Sequence, residues 1–242
     1  MRTFDRILIT RMKFIGDVVL TTPVIRSLRN AYPAAFIAYM GEREAVSLLE
    51  GNPCLDEILP FDFSRPAIME QSRMALLLRR RRFELVIDLF GNPRSAMLAR
   101  LSGAPVRVGP DRKGRGRLYT LRLKDDGISK SAIAFHNQSL QALGIPITSL
   151  KTELFPTSAE RERARSLLLE GDPRIEPSRP LVGIHPGATW PAKHWPAERF
   201  GHLAERLLRS GIQVVVFGGP RDGDTLTAVR WSAGVPLRVV EQ

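Results

Sequence analysis

Five stretches of the chain carry residue types that could do chemistry. The first, Arg11-Met12-Lys13-Phe14-Ile15-Gly16-Asp17, follows the apolar run RILIT and precedes a helical pattern. A strand that runs into a helix delivers its turn to the carboxyl edge of the sheet, where open α/β folds bind ligands. Gly16 permits close backbone approach to a ligand. Arg11 and Lys13 add positive charge there. Asp17, at the mouth of the helix, reads either as an N-cap for orphan backbone donors or as a general base. No G-x-G-x-x-G follows the strand, and no G-x-x-x-x-G-K-[ST] occurs anywhere. That sets dinucleotide and P-loop chemistry aside.

The second stretch, Asp88-Leu89-Phe90-Gly91-Asn92-Pro93-Arg94, ends another strand. Asp88 is either a polar group at the active edge or the organiser of the turn, and the turn is the better account. The third stretch, residues 110–117, is a basic loop containing Arg112 and Lys113. With Arg11, Lys13 and Arg94 it could line an anion-binding cleft. It has no interleaved aromatic residues of the kind that stack single-stranded nucleic acid. Phosphates or carboxylates are the better partners, and no nucleic acid is expected.

The fourth stretch runs from His185 through Gly187, Thr189 and Lys193 to Pro196. A glycine turn, a hydroxyl and a lysine ahead of a helix N-terminus suit a diphosphate. His185 and His194 lack the company a metal site needs, so His185 is expected to pack or hydrogen-bond. The fifth, Phe217-Gly218-Gly219-Pro220-Arg221-Asp222, ends a later strand. Gly218 and Gly219 allow a ligand close, and Asp222 either accepts from ribose hydroxyls or caps the next helix.

These stretches need a scaffold, and the hydropathy pattern supplies one. Strands are expected at residues 6–10, 35–40, 84–89, 106–109, 181–185, 212–217 and 237–240. Their nearly continuous apolar character is that of strands covered on both faces. Helices are expected at 17–31, 42–50, 68–82, 94–102, 131–143, 158–169, 197–209 and 222–231. Pro23 either starts a helix there or kinks one begun at Asp17. Arg79 to Arg82 reads as a solvated helix end whose cations complement the dipole. The alternation predicts an α/β fold with parallel sheets and helices on both faces. A Pro/Gly-rich seam between 145 and 180 separates two units, taken as 1–155 and 156–242. The second is expected to hold only about three strands, fewer than the ~5–6 of a typical sheet.

Composition narrows the class. The 242 residues are 43% hydrophobic and 25% charged, which fits a globular protein rather than a disordered or fibrous one. Cys54 is the single cysteine, so a disulfide framework or cysteine-based zinc cluster is excluded. The net charge is +11, and residues 1–155 hold 24 basic against 15 acidic residues, a net of +9. An anionic partner for the first unit is one explanation, and a solvated Arg-rich surface is the other. No apolar run approaches the ~20 residues of a membrane span, and the N-terminus lacks a signal-peptide pattern. A soluble or peripheral cytoplasmic protein is expected.

Two segments together resemble a family. RMKFIGDVVLTTPVIRSLRNAYP is similar to the N-terminal signature of the ADP-heptose:lipopolysaccharide heptosyltransferases. HPGATWPAKHWPAERFGHLAERLLRSGIQVVVFGGPRD resembles the donor-binding start of their C-terminal domain. The resemblance implies a GT-B fold of two Rossmann-like domains across a cleft, the first for the acceptor and the second for the nucleotide sugar. It implies Asp17 as catalytic base, Lys193 on the donor phosphates with Thr189 beside it, and Asp222 near the donor nucleoside. The reaction implied is inverting transfer of heptose from ADP-heptose to the lipopolysaccharide inner core. No cofactor or metal is implied beyond that donor substrate. An acceptor with Kdo carboxylates and lipid A phosphates would suit the basic first domain and implies peripheral contact with the cytoplasmic face of the inner membrane. The family continues into a D-T-G-type segment that closes the donor site, whereas here Asp224-Thr225 is followed by Leu226. The second domain is therefore expected to be incomplete. The alternatives are a GT-B transferase for another nucleotide sugar, an inactive fragment, or a basic anionic-surface binder.

Overall fold

The computed structural model describes every residue except Met1, Asp126, residues 170–174, Pro177, Thr189 and Gln242. The chain divides into two compact units, Met1–Pro156 and Thr157–Gln242.

The first unit is built on six parallel strands: β1 (Arg6–Thr10), β2 (Phe36–Glu42), β3 (Glu57–Phe61), β4 (Leu85–Asp88), β5 (Val106–Pro110) and β6 (Leu121–Leu123). Their spatial order is β3-β2-β1-β4-β5-β6. This is the doubly wound order, and its direction reverses between β1 and β4. The register pairs Thr10 with Met40 on one side and with Asp88 on the other. The central strands are apolar throughout because both faces are covered. Ile7 and Ile9 enter one core cluster with Ile37, Tyr39, Leu85 and Ile87. Leu8, one residue out of step, enters the other with Ala38, Met40 and Val86.

Helices α1 (Ile15–Val19), α2 (Thr22–Ala31), α3 (Arg43–Val46), α4 (Ala67–Arg81), α5 (Pro93–Leu101) and α6 (Ala132–Ala142) complete this unit. Val24, Ile25 and Leu28 of α2 and Leu140 of α6 cover the first face. Met74 and Leu78 of α4 and Ala96, Leu98 and Ala99 of α5 cover the second. Asn92 and Ser131 cap α5 and α6 by accepting from the N–H groups of Ser95 and Ala134. The expected helix 17–31 is two helices. Leu20 and Thr21 separate them, and Pro23 opens the second rather than kinking one long helix.

Two strands escaped the sequence reading, β3 and β6, and both are sheet edges. β3 carries Pro60, which an edge strand tolerates because one side needs no ladder donor. β6 has three residues, two of them half-buried, so its apolar signal is weak.

The second unit contains α7 (Ser158–Leu169), β7 (Leu181–Ile184), α8 (Ala197–Arg209), β8 (Gln213–Gly218), α9 (Gly223–Ser232) and β9 (Arg238–Glu241). Its strands form a parallel sheet in the order β7-β8-β9. Ile184, Val214, Val216, Ala204, Leu226 and Val229 make its core.

Candidate active site

In the first unit the reversal of strand order opens a crevice beyond the carboxyl ends of β1 and β4. A cleft of about 430 Å³ lies there, lined by Arg11 and Asp17 after β1, Phe90 after β4, Arg112 after β5, and Phe135 and His136 on α6. Arg11 is nearly buried. Its Nη2 donates to Asp17 Oδ2 at 2.5 Å. Its guanidinium lies over the Phe90 ring, 4.2 Å from the centroid. Nε and Nη1 of Arg11 have no hydrogen-bond partner among the described residues. Burial lowers the Arg11 pKa from its ordinary value, and the carboxylate of Asp17 opposes that shift.

Asp17 stands in the first turn of α1 with its side chain 32% exposed. It does not cap the helix. The N-cap is Phe14, at φ 68°, and no side chain bonds there. A left-handed conformation at a non-glycine residue costs free energy of order 1–3 kcal/mol and concentrates at functional sites. The capping alternative for Asp17 is thereby replaced by an ion pair on the rim of a cleft.

His136 has no counterpart among the sequence candidates. It is 3% exposed, lines the cleft, and neither ring nitrogen has a partner among the described residues. An unpaired buried polar group is costly. A ligand hydroxyl or carboxylate in the cleft would relieve that cost. Burial, with Arg11 next, pulls the His136 pKa down to about 4. The sequence signal was a lone histidine in an apolar helix, AIAFHNQSLQA, with no motif around it.

Asp88 is fully buried and organises the turn. It accepts from the N–H groups of Phe90 and Gly91 and from the Tyr119 hydroxyl at 2.7 Å. Burial raises its pKa despite those bonds. The other expected cations separate. Arg112 lines the cleft over the Phe135 ring. Lys13 and Arg94 instead converge on Phe63, at 4.3 Å and 5.2 Å from its centroid, and line no part of this cleft. Lys113 is exposed away from it in a left-handed conformation. Gly16 borders open space, with nothing near the position a Cβ would take, and is not in the lining either.

The second unit has a cleft of about 420 Å³, lined by His185, Gly187, His194, Gly219, Arg221 and Asp222 among others. Asp222 accepts from the Gly219 N–H at 2.8 Å and makes no side-chain cap on α9. A Cβ on Gly187 would collide with the Asp222 carboxylate, so the glycine keeps the two loops together. Gly218 is a correction. It is buried, and a side chain there would strike Leu226, so its small size serves core packing rather than ligand approach. His194 Nε2 bonds the Ala188 carbonyl at 2.6 Å, and His185 Nδ1 bonds the Phe217 carbonyl at 3.1 Å. Lys193 is exposed at the end of a 3₁₀ turn and is not among the lining residues. Thr189 lies outside the described residues. Among the described residues, no three metal-ligating side chains cluster.

The sequence model of glycosyltransferase family 9 (heptosyltransferase) matches residues 72–239. Lipopolysaccharide heptosyltransferase 2 of Salmonella typhimurium is 28% identical over 228 residues, covering 90% of this chain and 64% of that protein. Lipopolysaccharide heptosyltransferase 3 of Escherichia coli is 26% identical over 230 residues, covering 90% and 65%. The chain thus spans a little under two-thirds of the length of these curated relatives. Among solved structures, the family 9 glycosyl transferase from Veillonella parvula superposes with a TM-score of 0.85 at 27% identity, covering 98% of this chain and 69% of that one. The Escherichia coli ADP-heptose lps heptosyltransferase II shares the fold, with a TM-score of 0.75 at 24% identity, covering 98% and 72%. The α/β architecture is accordingly of the GT-B type. With its family model matched from α4 to β9, the chain belongs to glycosyltransferase family 9, the heptosyltransferases.

Proposed function

We propose that the protein takes part in inverting transfer of a heptose from ADP-heptose to a hydroxyl of the lipopolysaccharide inner core. The observation that carries this reading is the Arg11–Asp17 pair on the rim of the cleft at the β1/β4 reversal. Arg11 engages Oδ2 and fixes the carboxylate. The other oxygen, Oδ1, would take the acceptor proton as the hydroxyl attacks the anomeric carbon. Such general-base help is worth about 10²–10⁴-fold. Arg112, exposed on the cleft wall, suits a carboxylate or phosphate on the acceptor.

The donor belongs in this reading to the second unit. The N-terminus of α9 and Arg221 favour a diphosphate beside Asp222. Lys193 joins them by resemblance, as does Thr189. Together they would stabilise charge on the departing ADP without requiring a metal ion. The relatives named as lipopolysaccharide heptosyltransferases support the substrate class. Peripheral contact with the inner membrane would follow from a lipid-linked acceptor. No helix among the described residues is long and apolar enough to cross a membrane.

The test is thermal unfolding with ADP-heptose, ADP, UDP, GDP or no ligand. A ligand at 100 times its dissociation constant adds about 2.7 kcal/mol. Stabilisation confined to the adenine compounds is expected. Stabilisation by UDP or GDP alone would overturn the donor assignment.

A further inference from the structure

One surface of the first unit is unlike the rest. Helices α4 and α5 cover the same sheet face and pack against each other. Their outward sides are apolar. On α4, Ile68 is 82% exposed, Met69 68% and Leu76 52%; on α5, Met97 is 43% exposed and Leu101 39%. Helical spacing puts Ile68, Ser72 and Leu76 on one stripe and Met97 and Leu101 on the other. Between them runs an open apolar trough of about 350 Å³, bordered by Ile68, Pro93, Arg94 and Met97. Contiguous exposed apolar surface of this kind marks a contact site.

The exposed charges carried by the two helices themselves have one sign. Residues 67–101 contain seven arginines and three carboxylates. Two of the carboxylates are buried: Glu70 bonds Arg73, and Asp88 holds its turn. The third, Glu84, lies beyond the C-terminus of α4 and accepts from the Asp5 N–H. The outward sides of the two helices therefore present Arg79, Arg80, Arg94 and Arg100 with no carboxylate among them.

We propose that this α4–α5 face docks on an anionic bilayer, with the alkyl side chains among the lipid headgroups and acyl-chain boundary and the arginines on lipid phosphates. An apolar stripe flanked by cations is the chemistry of interfacial membrane binding. A second copy of the chain fits less well. A two-fold contact sets the same patch against itself, arginine on arginine, with no carboxylate to receive them. The geometry also serves the proposed reaction. The N-termini of α4 and α5 follow the carboxyl ends of β3 and β4, so the trough opens at the sheet edge that holds the Asp17 cleft. A lipid-linked acceptor would be presented to that edge. The docking inference rests on the transferase reading only for its purpose, not for its physics.

The experiment is co-sedimentation of the purified protein with phosphatidylglycerol:phosphatidylethanolamine vesicles, with phosphatidylcholine vesicles as the neutral control. Binding to the anionic vesicles that falls with salt is expected. Ile68→Glu with Met97→Glu should abolish it. Arg79→Ser with Arg100→Ser should weaken it about thirty-fold, taking each cation near the surface at its usual worth. These side chains are exposed, so unchanged melting will show that the variants fold. Trp231→Ser, an exposed apolar residue of the other unit, should leave binding intact. Full vesicle binding by the Ile68→Glu/Met97→Glu protein would overturn the proposal. So would a dimer, seen by sedimentation equilibrium, that the same variant dissociates. The vesicles carry no sugar acceptor, so loss of lipid binding leaves the ADP-dependent stabilisation, and with it the transferase reading, separately readable.

Discussion

Asp17 and Arg11 are six residues apart in sequence and joined by an ion pair, and substitutions there separate chemistry from binding. Asp17→Asn keeps the size of the side chain and removes the proposed base. Transfer measured with ADP-heptose and a lipopolysaccharide acceptor should fall by about 10²–10⁴-fold. Stabilisation by ADP should be unchanged, because the cleft proposed for the donor is in the other unit. An Asn variant with full turnover would remove Asp17 from the mechanism. His136 calls for a pH experiment. Its folded pKa of about 4 lies below the usual value of 6.5, so the folded state holds it neutral. The unfolded chain binds the extra proton, so this residue's contribution is complete above pH 6.5 and lost as pH falls through 4. The full loss is up to about 3 kcal/mol. Denaturant unfolding of His136→Gln should show a shallower fall between pH 6.5 and 4 than the parent protein. Parallel curves would contradict this. Acidic groups held low, such as Glu70, contribute equally to both proteins and cancel in the difference.

At the scale of elements, the β4–α5 turn forms one wall of the cleft. Asp88 joins the end of β4 to Tyr119, 31 residues on, and to two amides of its own turn. Removing it strands buried donors, at a cost of about 1–3 kcal/mol for each group left unpaired. Asp88→Ala should therefore lower the melting temperature by more than Tyr119→Phe, which removes one bond and leaves the turn. It should also raise the acceptor KM, because Phe90 would no longer be held under Arg11. Equal melting temperatures for the two variants would show that the turn amides find other partners. The central strands of this sheet were legible because their apolar runs are continuous. β3 and β6 were not, since an edge strand buries less and tolerates Pro60. The break between α1 and α2 was also undecided in sequence. Pro23 suits either a helix start or a kink, and only the short loop at Leu20 and Thr21 settled it.

For the whole molecule, the two units differ in how they are built. The first has core clusters on both faces of a six-stranded sheet, and the second has one cluster on three strands. Unequal cores in separate units depart from two-state unfolding. Calorimetry should show two transitions, the earlier from the second unit. Saturating ADP should move the earlier one alone, by the equivalent of about 2.7 kcal/mol at 100 times the dissociation constant. A single transition moved as a whole would mean that the units unfold together.

The sequence by itself determined the α/β class, seven of the nine strands among the described residues, and the turn that carries Asp17. These follow from local pattern: burial on both faces of a strand leaves an apolar run, and strand–helix turns gather at one sheet edge. Only the tertiary structure decided which polar residues meet. It paired Arg11 with Asp17, brought His136 from a distant helix to the same cleft, and drew Lys13 and Arg94 off to Phe63. It also turned Gly218 inward against Leu226. Such meetings depend on strand order, and the order β3-β2-β1-β4-β5-β6 joins residues more than a hundred positions apart without leaving a mark at either one.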